Sequence, residues 1–138
     1  MLFPSIDREL LFTSIEADSP DKATAERAKA RVEQVAKAVR ERVRADGVQW
    51  ATDRPIETAA DLIPSTDIPT GYELPLAIGE DAMQALRDMS AMGVRLHNIG
   101  VSVEERYMSY IRSVAASAWA EGVRSLPDLF DRIINGDK

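Results

Sequence analysis

A chain of 138 residues that is 45% hydrophobic holds enough apolar material for one core, so a single domain spanning residues 1–138 is expected. It has no cysteine, which excludes a disulfide framework and a thiolate nucleophile, and no apolar run approaching the ~18 residues of a membrane-spanning helix. The net charge of −6 is unevenly spread: from Pro20 to Asp46 eight basic residues face five acidic ones, while elsewhere nine face eighteen, which argues against a general nucleic-acid binder.

The opening Met1-Leu-Phe-Pro-Ser-Ile-Asp-Arg-Glu reaches charge before an apolar stretch can form, so it does not read as a signal peptide, and a reducing compartment is expected. Within the N-terminal segment 1–18, Ile6, Leu10, Leu11 and Ile15 predict a short helix from Ser5 to Ile15. Ser19 followed by Pro20 predicts a cap and a proline at the first helical position, opening a helix that runs to Asp46 and stops at Gly47. Its inner stripe of Ala25, Ala28, Val32, Val35, Val39 and Val43 is small, which permits close packing.

Four of the seven prolines, Pro55, Pro64, Pro69 and Pro75, fall in residues 48–79 and exclude a continuous helix there, so this stretch reads as an extended arm or loop, with at most a turn or two of helix over Ile56–Ile63. Tyr72, Leu74, Leu76 and Ile78 alternate with Glu73, Pro75 and Ala77, the period of an extended or edge strand that pins by one face. A third helix follows from about Glu80 to His97, striped by Ala82, Leu86, Met89, Gly93 and Leu96. Ser102 with Glu105 forms a capping box for a fourth helix, which buries Val103, Tyr107, Tyr110, Ile111, Val114, Ala115, Ala118 and Trp119 and is stopped by Gly122. Ser125 with Asp128 then opens a last helix containing Leu126, Leu129, Phe130, Ile133 and Ile134. The predicted class is all-α, about five helices with two long ones, and an extended proline-rich arm between the second and third.

Little in the chain suggests catalysis. The single histidine, His97, stands near a helix C-terminus without a second His, a Cys or a Glu-x-x-His partner, so it reads as a structural residue rather than a metal ligand or base. Glu80-Asp81 and Glu104-Glu105 are first-turn acids, expected for capping and dipole reasons, and adjacent positions on a helix do not face each other. A glycine-rich phosphate loop and a nucleophile elbow are both absent from the sequence, so no enzyme activity, cofactor or metal is expected. Met83, Met89 and Met92 at helical spacing read as core filling. The row Lys37, Arg40 and Arg44, with Arg42 beside it, is a candidate contact for an anionic partner, weighed against a solvated face interleaved with Glu33 and Glu41.

Tyr72-Glu-Leu74-Pro75-Leu76, the helix ending in Arg95-Leu96, the acidic turn into Glu105-Arg106-Tyr107, and Gly122 before Ser125-Leu126 occur in an order that resembles the C-terminal half of the small helical head–tail adaptor (connector) proteins of tailed bacteriophages, the Mu-type family in particular. The resemblance spans Tyr72 to Asp128. In that family the first long helix runs almost directly into the Tyr-x-Leu-Pro-Leu segment, whereas here residues 48–71 intervene. The resemblance implies a structural, non-enzymatic protein of the virion, assembled in the host cytoplasm as a ring, commonly of twelve copies, between the portal and the other neck and tail proteins. DNA would pass through the ring without specific binding. The expected partner contacts are Tyr72, Leu74, Leu76 and Ile78 of the arm and Leu129, Phe130, Ile133 and Ile134 of the last helix. An acidic balance suits a wall past which DNA slides. The leading rival is a small acidic helical regulator that inhibits a host or phage enzyme; a third reading is a nucleic-acid-associated protein using Lys37, Arg40, Arg42 and Arg44.

Overall fold

The computed structural model describes residues 2–54, 65–92 and 103–125, with side chains described for 6–54, 65–88 and 103–125. Four α-helices occupy most of them: α1 (Leu2–Asp18), α2 (Lys22–Asp53), α3 (Glu80–Met92) and α4 (Val103–Arg124), with a 3-10 turn over Leu76–Gly79 leading into α3. No strand occurs among the described residues. The fold is therefore all-α, and α2 and α4 are the two long helices. The predicted last helix, with Leu129, Phe130, Ile133 and Ile134, lies outside the described residues, as do His97, Ser102 and the turns expected over Ile56–Ile63.

Contacts between helices fix their directions. Glu33 meets Tyr110 early in both α2 and α4, and Arg44 meets Glu121 late in both, so these two run parallel. Arg8 meets Glu33 while Glu16 meets Lys29, which sets α1 antiparallel to α2. Asp81 meets Arg31, and Arg87 reaches Glu104 at the head of α4, so α3 is antiparallel to both long helices. The result is an up-down-up-down arrangement with α2 and α4 as its central pair. Val32, Val35, Val39 and Val43 of α2, Tyr107, Ile111, Val114 and Trp119 of α4, Leu11 and Ile15 of α1 and Leu86 of α3 share one buried cluster.

Helix ends depart from expectation in instructive ways. The N-cap of α2 is Asp21, whose carboxylate accepts from the Thr24 amide at 2.7 Å; Ser19 instead turns back, its amide and hydroxyl both donating to the Ile15 carbonyl at the end of α1. Only three residues separate α1 from α2, so one polar residue closes the first helix and another opens the second. At the other end α2 does not stop at Gly47 but continues seven helical positions beyond Asp46, to Asp53. Gly122 likewise lies inside α4, two residues before its end.

Both glycines are buried where the long helices cross. A Cβ on Gly47 would lie 2.9 Å from the Trp119 carbonyl oxygen; one on Gly122 would run into the Arg44 carbonyl and lie 3.2 Å from the Val48 amide nitrogen. Their function is close backbone approach, not termination. The arm also differs from a strand. Pro69 to Tyr72 forms a turn closed by the Tyr72 amide on the Pro69 carbonyl, with Gly71 at φ +99°, a conformation that favours glycine. After Pro75 the chain winds into the 3-10 turn, the Ile78 amide donating to the Pro75 carbonyl. An alternating pattern and a helical turn cannot both hold over four residues, and the turn wins because Leu76 and Ile78 reach the core as the chain swings into α3.

Candidate functional site

Because α2 runs past Gly47, its last two turns project Trp50 beside the end of α4. There Trp119, 1% exposed, is flanked by two other rings, Tyr72 with its centroid at 4.8 Å and Trp50 at 5.7 Å, both tilted. Tyr72 is held by a second contact, its hydroxyl donating to the Asp46 carboxylate at 2.6 Å, and Asp46 also takes Arg42 at 3.1 Å. Burial, helped by the hydrogen bond to Asp46, raises the Tyr72 pKa well above the ordinary phenol value. The three rings, Asp46 and Asp53 of α2 and the Pro69-Thr70 turn line an open cleft of about 590 Å³. Arg54 lies on its rim, the guanidinium 5.7 Å from the Trp50 ring centroid. The indole N–H of Trp119 is buried and has no hydrogen-bond partner among the described residues, uncommon for a buried tryptophan.

The arm residues expected as partner contacts also pack on the chain's own core, which leaves part of each side chain accessible. Tyr72, Leu74, Leu76 and Ile78 are all half-buried against the central cluster. Gly79, at the end of the 3-10 turn, accepts from the Tyr107 hydroxyl at 3.4 Å, which joins the arm to the first turns of α4. Burial pushes the Tyr107 hydroxyl up to about 12.

The basic row divides by face. Spacings of three and four put Lys37, Arg40 and Arg44 on one side of α2, whereas Arg42, two residues from Arg40, points to the opposite flank with Asp46. Arg44 pairs with Glu121 of α4 at 3.0 Å, leaving Lys37 and Arg40 as the members with no ion pair among the described residues. These two border a smaller cleft of about 320 Å³, shared with Glu33, Tyr110 and Val114. Its floor is not uniformly positive, since Glu33 accepts from Tyr110 at 3.2 Å and binds Arg8. Desolvation, with Glu33 nearby, raises Tyr110 to about 12.

Among the described residues no group of three or more His, Asp or Glu side chains could hold a metal ion. The sequence reading identified Trp119 as buried but passed over Trp50, Asp46 and Asp53, because it ended α2 at Gly47 and so placed Trp50 in a loop. The missed signal was the spacing of Val43, Gly47, Trp50 and Ala51, which continues the stripe of α2 without a break.

Comparison with known proteins adds no relative: no protein-family model, no curated protein and no solved structure matches the chain.

Proposed function

We propose that the chain is a non-enzymatic virion assembly protein of the head–tail connector type, acting as one copy of a ring between the portal and the next neck component. The observation that supports this reading is where the described members of the resembling pieces lie in space. Tyr72 packs on Trp119, Gly79 meets Tyr107, and Gly122 admits the backbone of α2, so segments far apart in sequence form one packed unit. A shared order of weak motifs is most readily explained when the motifs are the joints of one architecture. The arm residues then stiffen the subunit, and their accessible faces are candidate contacts to a neighbouring subunit.

The charge distribution is compatible with DNA passing nearby without being held. Of the four residues of the basic row on α2, Arg42 and Arg44 are neutralised locally, and Lys37 and Arg40 could neutralise about two phosphates, so the row contributes a salt slope of about −2. Light scattering on the purified chain, alone and with portal protein, is the test. Self-association into a ring, or a stoichiometric complex with the portal, is expected, together with no duplex binding at physiological ionic strength. A monomer that stays monomeric beside the portal overturns the connector reading and leaves the regulator; micromolar duplex binding abolished by Lys37→Ser with Arg40→Ser replaces it with the nucleic-acid reading.

A further inference from the structure

We propose that the aromatic cleft at the end of α2 is a binding site for an organic cation, a guanidinium or alkylated ammonium group on an apolar stem. This does not rest on the connector reading. Three features of the walls select the charge. Trp50 and Tyr72 supply aromatic surface over the buried Trp119, and their π faces attract cations while their area accommodates an apolar stem. Asp46 and Asp53 place two carboxylates on the lining, and Asp53 ends α2, where the helix carries partial negative charge and a cation is favoured. The last turn of α2 contains no basic residue before its cap, Arg54, whose amide donates to the Trp50 carbonyl, and Asp53 accepts from Gln49 but has no ion pair among the described residues.

The cations already present do not reverse this. Arg42 is bound to Asp46, and Arg54 lies over Trp50, which is itself evidence that the ring attracts a guanidinium. Asp46 is already matched by Arg42 and Tyr72, so a phosphate or carboxylate ligand would meet Asp53 and the C-terminus of α2, with Arg54 as the cation on the rim. The volume, about 590 Å³, falls within the range of small-ligand pockets.

The chain provides its own reporter, because its only two tryptophans both line this cleft. Intrinsic fluorescence of the full chain is titrated with tetramethylammonium, with acetyl-arginine amide, and with the tripeptide acetyl-Ala-Arg-Ala amide, using sodium phosphate at matched ionic strength as control. A saturable change with at least one cation and none with phosphate is expected. Saturation by the free cations identifies a small-molecule ligand; saturation by the tripeptide alone identifies an arginine side chain of a protein partner. Asp53 is exposed, so Asp53→Asn leaves the fold intact and should weaken binding about 2- to 5-fold. Trp50→Leu should weaken it about 3- to 30-fold. No saturable change with any cation, equal saturation by phosphate, or affinity unaltered by Asp53→Asn overturns the proposal.

Discussion

At the scale of single residues, the two glycines of the central crossing set the distance between the long helices. In an exposed helix interior, glycine to alanine stabilises by about 1 kcal/mol, because alanine loses less backbone entropy on folding. At Gly122 a methyl group would run into the Arg44 carbonyl, and helical backbone cannot move aside as the tip of a flexible side chain can. Overpacking of this kind costs about 1 to 3 kcal/mol and sometimes more, enough to outweigh the propensity gain. Gly122→Ala should therefore lower the urea midpoint, and Gly47→Ala, where the nearest atom lies at 2.9 Å, should do so by less. A stabilised Gly122→Ala protein would show that the crossing can open without penalty. That both glycines read as helix stops in the sequence follows from the same chemistry: a residue without a Cβ suits a terminus and a tight crossing equally, and only the partner helix decides between them.

At the scale of elements, the periodic signals were legible and the boundaries were not. The valine stripe of α2 and the aromatic-rich face of α4 lie buried together as their spacing requires, because a 3.6-residue period leaves one face for a core to cover. The arm was misread in shape but not in the burial of its side chains. Period two over Tyr72, Leu74, Leu76 and Ile78 marked four apolar groups that must be covered; it did not reveal that Pro75 precedes a 3-10 turn, since four residues are too few to separate the two geometries. The cleft was less legible still, because it depends on Trp50 from α2, Tyr72 from the arm and Trp119 from α4 meeting in space. Because Leu74 and Leu76 are only half-buried, replacing both with Ser should cost about 1 to 2 kcal/mol per side chain, less than the ~2 to 5 of a fully buried leucine. Thermal melting with ring assembly as a second readout separates the roles. A destabilised double variant that still assembles agrees with packing on the chain's own core, whereas lost assembly at unchanged melting temperature would return these residues to an intersubunit contact.

At the scale of the whole molecule, the three tyrosines act as a joint alkaline limit on the fold. They are the only tyrosines in the chain and they tie different elements together: Tyr72 joins the arm to α2 and α4, Tyr107 joins α4 to the 3-10 turn, and Tyr110 joins α4 to Glu33 of α2. Burial is the main cause at each site, and it favours the neutral phenol, so each folded pKa lies above the ordinary value of 10.0, at about 12 for Tyr107 and Tyr110 and higher for Tyr72. In the unfolded chain all three ionise near pH 10, so between pH 10 and 12 the folded state holds more protons than the unfolded one. Stability is then fully present below about pH 10 and falls as pH rises toward 12, because alkali draws the chain toward the state that can release those protons. Tyrosinate absorbance followed alongside helical circular dichroism should show no tyrosine titrating with a midpoint near 10 while the helices persist, and the phenolate signal should rise together with helix loss. A tyrosine that ionises near pH 10 with the helical signal intact would mean that at least one of these hydroxyls is open to solvent, and that the joint it makes is not closed.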